Sequence, residues 1–279
     1  MTPIPIGSAW RSGRFWPDPM LEHTFVHIPG VGLGTERKLW AQGIVTWRDA
    51  LDCACPSGFS AGRWDQGRRL IEDSIISLGR RDHRHFAQAL SSADHWRAWH
   101  DFRRSVVYLD IETTGCSHLS QVTVVGLYDG RRTQSFVAGD NLDDLPEALE
   151  GFGMIVSFNG ACFDMPYLHR RFPGLPTDYL HLDLMHALRK LGLGGGLKSI
   201  ERQLGIERDD DLKGLDGWDA VRLWNEYRAG REASLETLIR YNAADIENLE
   251  ILAEKAYREL RAAMALPCDA DGEGARPGE

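Results

Sequence analysis

Residues 105–264 are predicted to form an α/β domain with a mixed sheet flanked by helices, and the residues before them an all-α segment. Two observations indicate this arrangement. Strand-like runs rich in β-branched and aromatic residues follow one another from Val106, and Asp129-Gly130 between two of them is a strong hairpin signal. After residue 140, helical and strand-like segments alternate, which is typical of an α/β sheet.

Hydrophobic runs and turn residues define the individual elements of this domain. The predicted strands are 106–115, 121–128, 133–137, 154–158 and 179–184. Helices are predicted over 141–152, after Asp164, over 218–227 and along a long final segment, for which Ser234 is the expected N-cap.

The rest of the chain divides by composition. We expect an irregular arm over 1–21 that packs through Trp10 and Trp16, a two-helix segment over 22–60, a solvated helical connector over 61–104 and a disordered tail over 265–279. The apolar side of the connector is predicted to consist of four aliphatic residues, which are Ile71, Ile75, Ile76 and Leu78.

Phe25 to Leu51 resembles a helix-hairpin-helix unit, in which Gly30 and Gly32 would let backbone N–H groups approach a phosphate near Lys38. Thr46 is predicted to cap its second helix. A helical hairpin that only packs is the open alternative. Through this unit the chain would bind nucleic acid, either at a single-stranded end or as a duplex.

Composition limits the class of protein. A formal net charge of −9 argues against a strongly basic nucleic-acid binder but not against an enzyme with local contacts. Five cysteines without a zinc-ligand spacing favour a reducing cytosol, so we expect a cytoplasmic protein. A signal peptide and a bilayer-spanning run are not expected.

Two carboxylates stand at the end of the first predicted strand. Because strand side chains alternate, Asp110 and Glu112 point to the same face. Two like charges on a core strand are costly unless a cation neutralises them, and a hard divalent ion bound by oxygen would do so. The alternative is that the strand ends here and both acids are solvated.

Two later segments carry further acids. Asp164 follows the Asn159-Gly160 turn and precedes a helix, where it could act as an N-cap, a metal ligand or both. Tyr241 and Asp245 lie one turn apart on the final helix, at the edge of its apolar stripe. Asp183 is predicted to be a cap only. Lys198, after a glycine-rich loop, is a weak candidate for a phosphate contact.

Three motifs in this order resemble the DEDD exonuclease superfamily, which has a ribonuclease-H-like fold. They are 109–115 (LDIETTG), 159–164 (NGACFD) and 241–245 (YNAAD). Position 240, where the His-type members have histidine, is Arg240, so the Tyr-type applies. With its N-terminal hairpin, the chain is most similar to YprB-type proteins.

This resemblance implies a metal-dependent 3′–5′ exonuclease that hydrolyses DNA or RNA with two divalent cations, Mg²⁺ or Mn²⁺. The implied metal ligands are four carboxylates, namely Asp110, Glu112, Asp164 and Asp245, and Tyr241 would orient the attacking water. Asn159 and Lys198 join the expected nucleic-acid contacts. A non-catalytic nucleic-acid-binding adaptor and a structure-specific endonuclease that uses the same site are the alternatives.

Overall fold

The computed structural model describes residues 19–117 and 119–267. The packing predicted for Trp10 and Trp16, and most of the predicted tail, therefore lie outside the described residues.

The described part of the chain forms one five-stranded mixed sheet in the order β3-β2-β1-β4-β5. Its strands are β1 (Val106–Thr113), β2 (Val122–Tyr128), β3 (Thr133–Val137), β4 (Met154–Ser157) and β5 (Leu180–Asp183). The central strand β1 is antiparallel to β2 and parallel to β4. The outer strands continue this pattern, because β3 is antiparallel to β2 and β5 is parallel to β4. The predicted mixed α/β sheet is confirmed.

Helices precede the sheet, connect its later strands and follow it. Before the sheet lie α1 (Leu33–Ala41), α2 (Trp47–Asp52), α3 (Ala61–Gly79), α4 (His83–Ala89) and α5 (Trp99–Phe102). Later in the chain lie α6 (Leu145–Leu149), α7 (Asp164–Arg171), α8 (Leu184–Lys190), α9 (Leu197–Leu204), α10 (Gly217–Arg228) and α11 (Glu232–Met264). Short 3-10 turns occupy Leu21–His23, Ser92–Ala98, Arg103–Ser105 and Leu142–Asp144. In the described residues no helix is both long and apolar enough to cross a bilayer.

Two predicted helix starts had different outcomes. Thr46 caps α2 as predicted, in a capping box with Asp49. Ser234 does not cap α11, which begins two residues earlier at Glu232. The reason is that the Ser234 hydroxyl donates a hydrogen bond to the carboxylate of Glu226 (2.8 Å), so it connects α11 to α10 and does not satisfy a helix N-terminus.

Residues 61–104 are helical as predicted, but they are not a solvated connector. Trp64 and Trp99 are buried in a core cluster that also contains Tyr257 of α11, so this segment packs against the same hydrophobic core as one face of the sheet. Ile71 is buried, whereas Ile75 and Ile76 are exposed, and the predicted apolar side is wrong at these two positions. The domain boundary near residue 105 stays a prediction.

A buried ion pair joins the first helices to this segment. The side chains of Glu36 on α1 and Arg97 are both fully buried and are joined by two hydrogen bonds of 3.0 Å. Glu36 also accepts the backbone N–H groups of Phe25 (2.7 Å) and Val26 (3.3 Å). Arg97 also pairs with Asp94 (3.3 Å). Loss of Arg97 would leave Glu36 buried without a counter-charge, which is strongly destabilising.

Helix α11 approaches the sheet at a glycine. Gly126 of β2 pairs with Asp110 of β1. A Cβ at this position would lie 2.0 Å from Oδ1 of Asn242 and 2.9 Å from Cδ1 of Ile246, two side chains of α11. The absence of a side chain at Gly126 therefore allows α11 to lie directly over the middle of the sheet.

We expect Gly126→Ala to move α11 away from β1 and β2, because the new methyl group overlaps Asn242. Overpacking of this kind costs roughly 1–3 kcal/mol, measurable as a lower unfolding midpoint in urea. Gly62→Ala is the matched control, since its Cβ on α3 would meet no atom within 4 Å. Equal stability of the two variants would contradict the close approach.

Candidate active site

Three of the predicted acids meet at the middle of the sheet. Asp110 and Glu112 lie on one face of β1 because strand side chains alternate. Asp245 reaches them from α11, and a carboxylate oxygen from each of the three residues lies within 4.8 Å of the other two. This distance allows a single cation to contact more than one of them.

Asn242 connects Asp110 to α11. Its Nδ2 donates to the carboxylate of Asp110 (3.0 Å) and also lies 3.3 Å from the backbone oxygen of the same residue. Asn242 is fully buried and lies one turn before Ile246 on the face that covers Gly126. The close approach of α11 to the sheet and the position of Asp110 thus depend on the same side chain.

Crowding of like charges changes the protonation of the site. Burial, together with the nearby Asp245 carboxylate, raises the pKa of Glu112 to about 8, while Lys198 opposes the shift. Burial, with the charges of Asp164 and Asp245, also raises the pKa of Asp110 well above its usual value. Bound positive charge would favour the ionised forms of both groups. Buried oxygen donors that repel one another fit hard divalent cations.

Asp164 lies beside this group but faces a different partner. It is the first residue of α7 and does not cap that helix, since Phe163 occupies the N-cap position. One carboxylate oxygen accepts the backbone N–H of Ile111 (3.1 Å), so Asp164 fixes β1 between the two acids. Burial raises its pKa to about 7. Asp164 is outside the three-residue cluster, although its charge acts on Asp110.

Two cations contact Asp245. The amino group of Lys198 lies 2.7 and 2.5 Å from its two oxygens, and the guanidinium of Arg208 bonds one of them. Arg208 also forms a bidentate pair with Glu201 on α9 (2.8 and 2.6 Å). Lys198 was predicted as a phosphate contact, whereas here it pairs with a carboxylate.

Sequence analysis did not identify Arg208, Glu201 or Asn242. Arg208 lies in the loop between α9 and α10, and nothing in its sequence context distinguishes it from solvated arginines. Its side chain is nevertheless only 7% exposed, and that of Glu201 3%. Asn242 stands inside the third motif, so its position was available as a signal, but its partner on β1 was not.

Tyr241 is buried beneath Lys198. Its ring centroid lies 4.3 Å from the Lys198 amino nitrogen, a cation–π distance. Burial and the surrounding carboxylates raise the pKa of its hydroxyl, so the phenol stays protonated at neutral pH. A protonated phenol can donate one hydrogen bond and accept others.

The other residues predicted to contact nucleic acid lie outside the cleft over the acids. Asn159 adopts a left-handed conformation (φ 63°), and its N–H donates to Asp183 (2.9 Å). Asp183 also caps α8, as predicted.

In the N-terminal hairpin, Gly30 has a positive φ of 76° and its carbonyl accepts a hydrogen bond from Arg63 (2.7 Å). Gly32 precedes α1, and Lys38 is exposed. Among the described residues that line the cleft over the acids, Asn159, Gly30, Gly32 and Lys38 do not occur.

The acids open into a cleft of about 1050 Å³ between β1, α9, α10 and α11. This volume is at the upper limit of small-ligand pockets. Its walls include Lys198, Arg208, Tyr241 and Trp218. The cleft can therefore hold a ligand larger than one small molecule, with part of it against the carboxylates.

Known proteins are similar to this chain over part of its length. Residues 107–257 match the model of the RNase_H superfamily. DNA polymerase 1 from Aeropyrum pernix is 31% identical over 124 residues, which are 44% of this chain and 11% of that polymerase. A solved family B DNA polymerase from Pyrobaculum calidifontis is similar with a TM-score of 0.44 and 21% identity, over 54% of this chain and 24% of that one. The chain thus spans only a small part of the length of these relatives.

We expect Glu112→Gln to raise the unfolding temperature in chelator at pH 8. An ionised Glu112 costs native stability because its pKa is raised to about 8 in the fold, and this cost grows as pH rises from the unfolded pKa of about 4.5 toward 8. The gain should be roughly 2–6 °C at pH 8 and vanish near pH 4.5, as differential scanning fluorimetry would measure.

Added Mg²⁺ or Mn²⁺ should raise the melting temperature of the parent protein more than that of Glu112→Gln, because the variant lacks one anionic ligand. Glu236→Gln is the control, since it removes an exposed acid from α11. A variant that responds to the cations as strongly as the parent would exclude Glu112 from the cation site.

Proposed function

The chain belongs to the RNase_H superfamily, and from this premise we propose that it is a metal-dependent 3′–5′ exonuclease that hydrolyses phosphodiester bonds of DNA or RNA. The observation that carries the proposal is the meeting of Asp110, Glu112 and Asp245, with oxygens within 4.8 Å, beside a buried Tyr241. The similarity to part of an archaeal DNA polymerase supports a nucleic-acid substrate.

The acidic side chains are proposed to hold two divalent cations, Mg²⁺ or Mn²⁺. The negative charges of all three other acids act on Asp110, which would therefore contact both cations. Glu112 and Asp245 would complete one set of ligands, and Asp164 would support the other. Such cations polarise a phosphate and lower the pKa of water. The oxygen-only donor set fits these ions better than zinc.

Tyr241 and Lys198 are proposed to act on the substrate side of the acids. A phenol that stays protonated can hold a water molecule in position by a hydrogen bond, but it cannot serve as the base at neutral pH. Lys198 lies on the cleft wall, is 35% exposed and is suited to contact a phosphate oxygen. Arg208, being more buried, would keep Asp245 oriented.

The N-terminal hairpin and the cellular location complete the proposal. Gly30, Gly32 and Lys38 are proposed to contact the phosphate backbone away from the cleft, with Asn159 as a further contact. Gly32 supports this best, because a Cβ there would meet no atom within 4 Å and its surface is open. A cytoplasmic location is supported by the four described cysteines, which are all free.

Incubation of single-stranded DNA and RNA, each labelled in turn at one end, tests the activity. With Mn²⁺ or Mg²⁺ we expect mononucleotides to be released from the 3′ end, and chelator to abolish release. Asp110→Asn and Asp245→Asn should each lower the rate by about 100-fold or more, because each removes an anionic ligand of the cations that would stabilise charge on the reacting phosphate. Full activity in both variants would refute the assignment.

Circular single strands distinguish the alternatives, because a circle offers no end. Cleavage of circles at a rate comparable with linear strands would indicate an endonuclease at the same site. Strand binding in chelator without turnover after cation addition would indicate a non-catalytic adaptor.

The hairpin is tested by Gly32→Val and Lys38→Ala in fluorescence anisotropy with labelled DNA. Gly30 is unsuitable, because a Cβ there would lie 2.7 Å from the guanidinium of Arg63. If Lys38 contacts a phosphate, Lys38→Ala should lower the slope of log affinity against log salt by about 1. Arg131→Ala, which removes an exposed charge from the β2–β3 hairpin, is the control. An unchanged slope and affinity in both variants would limit the segment to packing.

A further inference from the structure

Trp218 is an exposed aromatic side chain on the wall of the acidic cleft. It is 72% exposed, although most of the large aromatic residues in the described chain are buried. The same cleft is lined by Asp110, Glu112 and Tyr241. A flat apolar ring that is left in water beside the reacting groups is available to contact a ligand there.

The fold holds Trp218 in a defined place. It is the second residue of α10, and its backbone N–H donates to the capping carboxylate of Asp216 (2.8 Å). The opposite face of α10 packs through Leu223 and Trp224 into a core cluster that contains Tyr241. The backbone of Trp218 is therefore held in place relative to the acids.

Apart from the proposed cations, the protein's own charges give this cleft little attraction for a polyanion. Acidic side chains outnumber basic ones among the residues that line it. Lys213 on the wall is already paired with Asp210 (2.6 Å), and Arg208 with Glu201 and Asp245. A contact that does not depend on positive charge would compensate, and the face of an unpaired base supplies one.

We infer that Trp218 stacks on an unpaired base of the bound strand. The inference rests on the proposed function and specifies its substrate class. A paired base is stacked on its neighbours and is less free to leave them, whereas a base in a single strand can lie on the indole. Since every base has such a face, the contact would be tolerant of sequence.

Equilibrium binding tests this inference separately from cleavage. The full-length chain is titrated into labelled oligo(dT) in Ca²⁺ buffer and followed by fluorescence anisotropy, with gels to verify that the strand stays intact. We expect Trp218→Ala and Trp218→Leu to raise Kd by about 5- to 100-fold, and Trp218→Phe by less than about 3-fold. Ile251→Ala, which removes an exposed apolar side chain from α11, should leave Kd unchanged.

An abasic strand of equal length provides the decisive comparison. It carries the same phosphates without bases, so the parent protein and Trp218→Ala should bind it equally. Under turnover conditions, Trp218→Ala should raise KM by a factor similar to its effect on Kd and change kcat less than about 3-fold.

Four results would overturn the inference. They are unchanged affinity in Trp218→Ala, equal binding by the Leu and Phe variants, the same loss on the abasic strand, and no strand binding by the parent protein. If binding depends on Trp218 as expected but no strand is cleaved, the proposed nuclease activity fails and the stacking contact stands.

Discussion

Mutual repulsion among buried carboxylates is the constraint on which this site depends. Asp110, Glu112 and Asp245 are close enough that burial and neighbouring negative charges raise the pKa of the first two. Such a group of buried negative charges is tolerated only if nearby groups offset the repulsion. Here Lys198 and Arg208 do so, because both contact Asp245. The acids are thus partly balanced on the α11 side and less so on the β1 side, where a hydrogen bond from Asn242 reaches Asp110.

The rest of the fold holds these acids together against their repulsion. Gly126 gives α11 room to lie over β1, and the helix then extends to pack its C-terminal half against the N-terminal segment through Tyr257. That segment is in turn held by the buried pair of Glu36 and Arg97. The sheet, α11 and the first helices therefore share one hydrophobic core, and a loss of packing in the N-terminal part would reach the site through α11.

The cleft combines three kinds of contact that the proposed strand cleavage would use. Its floor carries oxygen donors for cations, its surface carries Lys198, and its wall carries an exposed indole at Trp218. The chain is acidic overall, with a net charge of −9, so a general attraction for polyanions is not what brings a substrate here. Local contacts of different chemistry at one site are consistent with superfamily membership and with the proposed exonuclease activity.

The sequence by itself determined the strands, the mixed sheet and the shared face of Asp110 and Glu112, because alternation and hairpin signals act between residues close in the chain. It indicated Asp245 through its position at the edge of the apolar stripe of α11 and through the third motif. Tertiary structure alone decided that Asp245 meets Asp110, that Asp164 bonds the backbone of β1, and that Arg208 is buried between two acids. Except for the pair of Arg208 and Glu201, these contacts join residues 37 to 135 positions apart, a separation that no local pattern specifies.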